Sequence, residues 1–114
     1  MIELTDPEDA KIVTLARSTR ARTGASQGAC VRDTDGRTYA AASVALPSLT
    51  LSAVQVAVAM AVSSGAPGLE AVAVLADPAE VTTADLDAVR DLAGDGVGIL
   101  VGSPDGTITE RLTT

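Results

Sequence analysis

The chain has 114 residues, a net charge of −7 and an apolar fraction of 46%, with one Tyr and no Phe or Trp. That length suits one domain spanning 1–114 with a sizeable core and is too short for two. Eight basic residues against fifteen acidic ones give a field that repels phosphate backbones, so a nucleic-acid partner is excluded.

The N-terminal Met1–Glu8 has no basic segment leading into an apolar one, so no signal peptide is expected. Asp6 caps a first helix over about residues 6–22. Pro7 suits its first position, Glu8 and Asp9 favour the positive end of its dipole, and Gly24 stops it. Ile12, Leu15 and Ala16 share its inner face. Arg17, Arg20 and Arg22 form a basic cluster that reads as a solvated helix C-terminus.

Two antiparallel strands follow, over about 27–33 and 37–44. They are joined at Asp35-Gly36, whose residues both tolerate positive φ. Cys30 lies mid-strand and reads as a small buried hydrophobe, because no His or Lys is near it in sequence to lower its pKa. With one Cys and no His in the chain, an internal disulfide is impossible and the usual zinc ligands are lacking. The commonest general base near neutral pH is also missing.

Thr50–Gly65 is the longest apolar run. Its Val residues alternate as in a strand, but its length and alanine content predict a helix, with Ser52-x-x-Gln55 as a capping box. The run Leu51–Val62 is shorter than the roughly 20 residues that span a bilayer, so no membrane partner is expected and the chain reads as cytoplasmic. A helix apolar on all sides needs cover on more than one side, which predicts a homo-oligomer, dimer or tetramer, formed through helix 50–64.

Glu70–Ala76 reads as a central strand buried on both faces. Thr82 caps a third helix over about 83–93, and Val97–Gly102 is a further strand parallel to Glu70–Ala76 through a right-handed crossover. Residues 107–114 form a short strand or helix. The order is α-β-β-α-β-α-β. Gly94-x-Gly96-x-Gly98 precedes a strand instead of opening a helix, so it reads as a turn and not a phosphate cradle. Asp77, Glu80, Asp85, Asp87 and Asp91 lack cation-loop spacing and read as a solvated, dipole-complementing helix start.

This order, with a small-residue hairpin ahead of an apolar helix, resembles the small cytidine deaminase family over essentially the whole chain. Gly28–Tyr39 looks like that family's first hairpin. Thr50–Gly65 looks like the segment carrying its Cys-Ala-Glu motif, and Ala71–Asp77 like the strand leading to its Pro-Cys-x-x-Cys. The resemblance implies a three-layer α/β/α sandwich with a mixed central sheet. It also implies a zinc held by three cysteines, or a histidine and two cysteines, with a glutamate moving protons while the metal activates water.

The departures fall on those same positions. Aligning Ala53 with the motif's alanine puts Ser52 at the first ligand and Val54 at the glutamate. No cysteine lies in Thr82–Ala88, and the family's nucleoside-gripping Asn-x-Glu falls at Ser43 and Ala45. The expectation is a catalytically inactive cytidine deaminase-like protein with no cofactor and no zinc site. It would have a structural, regulatory or small-ligand-binding role, with Ser43, Ala45, Ser52 and Val54 around a remnant pocket. The alternatives are another enzyme, or a residual nucleoside-related activity, using that pocket through Ser43, Ser48, Thr50 or Ser52, and an oligomeric protein-interaction subunit.

Overall fold

Asp6 starts the first element, its carboxylate accepting from the Glu8 amide at 2.8 Å, with Pro7 at the first helical position. Helix α1 (Pro7–Thr23) ends where Gly24 takes the left-handed conformation and its amide donates to the Arg20 carbonyl. The computed structural model describes residues 1–114. After α1 come strands β1 (Gln27–Asp33), β2 (Thr38–Ala42), β3 (Val44–Leu46) and β4 (Leu49–Leu51), then α2 (Ala53–Ser63) and β5 (Leu69–Ala76). α3 (Thr83–Ala93), β6 (Gly98–Gly102) and β7 (Ile108–Thr113) complete the chain.

Five strands form one mixed sheet in the order β2-β1-β5-β6-β7, in which only β5 and β6 are parallel. α1 covers one face; α2 and α3 cover the other. The result is the expected three-layer α/β/α sandwich. The unbroken apolar run of β5 follows from this burial on both sides. Val72 and Val74 enter the larger core cluster with α2, while Ala71, Ala73 and Leu75 enter the smaller one with α1. On β1, Ala29 and Val31 face α2 and Cys30 faces α1. Gly28 lets α1 approach this strand: a Cβ there would fall on the Ala16 carbonyl oxygen, with Arg20 Cβ at 2.7 Å.

The first turn differs from its expected form. Only Gly36 has positive φ (84°), and Asp35 does not. Asp33 accepts from the Gly36 amide at 3.0 Å and donates to the Arg37 carbonyl at 2.8 Å, giving a three-residue loop with glycine at its left-handed position.

The strand expected over 37–44 ends at Ala42. Ser43 Oγ accepts from the Gln27 amide at 3.1 Å, taking a donor that a continuing strand's carbonyl would use, and the chain turns away. The helix expected over 50–64 begins at Ala53, because Leu49–Leu51 pair with Val44–Leu46 in a second hairpin across Pro47-Ser48. The tail is a strand, β7, antiparallel to β6. No helix is long and apolar enough to cross a membrane.

Candidate functional site

Two helix N-termini meet on the α2/α3 face of the sheet, and both are closed by reciprocal capping boxes. At α2, Ser52 Oγ accepts from the Gln55 amide at 3.0 Å while the Ser52 amide donates to Gln55 Oε1 at 2.9 Å. At α3, Thr82 Oγ1 accepts from the Asp85 amide at 3.1 Å and the Thr82 amide donates to Asp85 Oδ2 at 3.3 Å. Gln27 of β1 adds a side-chain oxygen to the α2 end, accepting from the Ala53 amide at 3.1 Å.

The two ends are joined by one contact. Ser52 Oγ donates to Asp85 Oδ1 at 2.5 Å, so each carboxylate oxygen of Asp85 holds a donor. Asp85 is 1% exposed and has no cation beside it. What makes a carboxylate acceptable there is its place at the positive ends of two helices, with a hydrogen bond to each of its oxygens. This corrects the reading of the acidic stretch: Asp77, Glu80, Asp87 and Asp91 are exposed, but Asp85 is interior.

Of the four residues singled out from the sequence, Ser52 is half-buried in the contact just described and Val54 is in the core beside it. Ser43 is half-buried on the other side of Gln27, its hydroxyl 3.2 Å from that of Ser26. Ala45 is exposed on the β3–β4 hairpin. Gln27 thus joins Ser43 to the Ala53 amide, one residue after Ser52. Gln27 carries no motif in the sequence, and Asp85 reads there as a surface residue although the Thr82-x-x-Asp85 capping box is visible.

The three cavities of the molecule lie elsewhere. Two are apolar grooves flanking α2: one of about 400 Å³ bordered by Leu51, Val56 and Met60, the other of about 380 Å³ bordered by Val58, Val62 and Leu92. The third, of about 170 Å³, is polar and lies at the first turn of α1, with Asp9, Arg32, Glu70 and Arg111 in its wall. None of them is lined by Ser43, Ala45, Ser52 or Val54.

The donor chemistry at the α2/α3 ends does not fit the zinc that the resemblance implies. Two hydroxyls and one carboxylate are present, with no thiolate and no imidazole, and the carboxylate oxygens are already engaged. Cys30 faces α1 across the sheet, and burial pushes its thiol up to about 11. No three His, Cys, Asp or Glu side chains converge in a way that could hold a metal ion.

The chain's wider likenesses agree with this architecture. A family model described as cytidine deaminase-like matches residues 5–106. Cytidine deaminase from Burkholderia pseudomallei superposes with a TM-score of 0.78 at 16% identity, covering 90% of each chain. The enzyme from Mycobacterium leprae gives 0.73 at 18% identity, over 95% of this chain and 94% of that one. Cytidine deaminase from Mycobacterium tuberculosis gives 0.72 at 23% identity, over 82% and 85%. Identities this low speak for the fold alone. No curated protein sequence matches the chain. With most of its length matched by the family model, the chain belongs to the cytidine deaminase-like family.

Proposed function

We propose that this is a cytidine deaminase-like protein without deaminase chemistry, working in the cytoplasm as a homo-oligomer in a structural, regulatory or ligand-binding role. The observation that carries this reading is the Ser52–Asp85 contact. The two helix ends where the family resemblance would put metal ligands satisfy each other instead, and the position aligned with the proton-shuttling glutamate is a core valine, Val54. A hydrolytic zinc centre needs an open coordination position and an acid/base group beside it, and these residues supply neither. Incubation with cytidine in zinc-containing buffer, followed for uridine, is expected to show no turnover. Turnover at an enzymic rate would overturn the reading.

The oligomer is supported by where the charges are. No Asp, Glu, Lys or Arg occurs between Arg37 and Glu70, although the chain carries a net charge of −7. That uncharged span forms β2, the β3–β4 hairpin and α2, and it leaves Leu46, Leu49, Met60 and Val62 exposed. A second copy fits this face better than another partner does, because two such faces can meet while the acidic remainder of each copy stays apart. Sedimentation velocity at micromolar concentration is expected to show an assembly that Val62→Glu breaks into monomers. A monomeric parent protein would contradict it.

A further inference from the structure

The polar cavity at the first turn of α1 is independent of the deaminase question, since it lies on the opposite face of the sheet from Ser52 and Asp85. Its floor is made of small residues: Ala71 of β5 and Gly98 of β6, paired directly in register. Arg32 pairs with Ala71 from one side, and Arg111, opposite Leu100, stands on the other. The register between β1 and β5 shifts at Arg32/Asp33, leaving Glu70 unpaired in the ladder and free to meet Arg32. Asp6 and Asp9, from the start of α1, complete the wall.

The hydrogen-bonding capacity of this wall is only partly used. Arg32 is 8% exposed. Its Nε donates to Glu70 Oε1 at 2.6 Å and its Nη2 to Asp9 Oδ1 at 3.2 Å, but Nη1 is buried with no partner. That nitrogen has no accessible surface, so the free capacity of the wall lies on the other groups. Arg111 makes no ion pair. One oxygen on each of Asp6, Asp9 and Glu70 is taken within the chain, leaving the second oxygen of each without a protein partner.

Three carboxylates and two guanidiniums thus share a space of about 170 Å³. A simple anion would enter a wall with a negative balance on an acidic chain, and a simple cation would meet two arginines. A molecule carrying both charges answers both sets. We propose that this cavity binds a small free α-amino acid, its carboxylate on Arg111 and its ammonium among Asp6, Asp9 and Glu70. At about 30 Å³ per water the space equals about five or six waters, close to the heavy-atom count of the smallest amino acids. Guanidinium forks match a carboxylate well.

The test is an NMR titration of the amide signals with glycine and L-alanine, using acetate and methylammonium as half-ligands. Saturable shifts of Ala71, Gly98 and Arg111 are expected with the amino acids, and far weaker ones with either half. Arg111→Gln should weaken binding about tenfold or more. Gly98→Val should abolish it by filling the floor, where an added Cβ meets nothing within 4 Å. If Gly98→Val fails to fold, Arg111→Gln and the half-ligands still decide. Three outcomes would overturn the proposal: no shift with either amino acid at millimolar concentration, acetate acting as strongly as glycine, or binding unchanged in Arg111→Gln.

Discussion

Ser52 and Asp85, 33 residues apart in sequence, share a 2.5 Å hydrogen bond that ties the N-terminus of α2 to that of α3. Ser52 is also the N-cap of α2 and Asp85 closes the capping box of α3, so each would be present for local reasons alone. Ser52→Ala removes a cap, at about 1 kcal/mol, and leaves a buried carboxylate oxygen without its donor, at about 1–3 kcal/mol more. A loss of about 2–4 kcal/mol in urea unfolding is expected for either Ser52→Ala or Asp85→Ala. The double variant should fall short of the sum by about 1–2 kcal/mol. Strict additivity would mean that the two caps act independently.

Tyr39 and Asp33 give a pH-dependent counterpart. Tyr39 Oη donates to Asp33 Oδ2 at 2.8 Å, and the same carboxylate accepts from the Asp35 and Arg37 amides. The hydrogen bond to Asp33, with burial adding to it, raises the Tyr39 pKa above its ordinary value near 10. A raised folded-state pKa stabilises the fold fully below the unfolded value and is lost as pH rises through the folded one. As the only Tyr in a chain without Trp, Tyr39 can be titrated by its ultraviolet absorbance. Its midpoint should lie above that of the unfolded chain and move down in Asp33→Asn.

On the acid side the sign reverses. Burial pushes Asp33 up, but hydrogen bonds from Tyr39, Arg37 and Asp35 outweigh it and leave its pKa lowered. That stabilisation is present above the unfolded carboxylate value and is lost as pH falls through the folded one. Tyr39→Phe should therefore begin acid unfolding at a higher pH than the parent, followed by circular dichroism. An unchanged acid transition would show that the Tyr39 hydrogen bond does not hold Asp33 down.

Cys30 is fully buried, and burial is the main reason its thiol rises to about 11, against smaller lowering effects from the Tyr39 backbone, Arg32 and Lys11. The thiolate is the reactive species, so a disulfide reagent at neutral pH should label the native protein only as fast as it unfolds, and label it at once in denaturant. Rapid labelling of the native chain would show an exposed thiol.

Gly28 is where α1 and β1 touch most closely. Adding one methyl there, in Gly28→Ala, puts Cβ against the Ala16 carbonyl and Arg20. Overpacking of this kind costs about 1–3 kcal/mol. A thermal melt should show the loss, and Gly98→Ala, which meets open space, should not.

Much of the layer arrangement was legible in the sequence because it follows from local signals. Asp6-Pro7 and Thr82-x-x-Asp85 mark helix starts, Gly24 and Gly94 mark helix ends, and the unbroken apolar run of β5 requires cover on both faces. The β3–β4 hairpin was not legible. Leu49-Thr50-Leu51 alternates like a strand, but it runs directly into the apolar helix, and only the cap at Ser52 separates them. Ser43 likewise reads as one more strand residue until its hydroxyl is seen to take the Gln27 amide. The polar site was legible residue by residue but not as pairs. A capping aspartate is normally solvent-facing, and no local pattern places Ser52 opposite it. Arg32 is hidden in the same way, since its partners Asp9 and Glu70 come from α1 and from a register shift in β5.

The zinc content of the protein, purified from zinc-supplemented cells and measured by mass spectrometry, bears most directly on the Ser52–Asp85 closure. Well under one zinc per chain is the expected result, unchanged after dialysis against zinc. One tightly held zinc per chain, lost in Asp85→Ala, would contradict it.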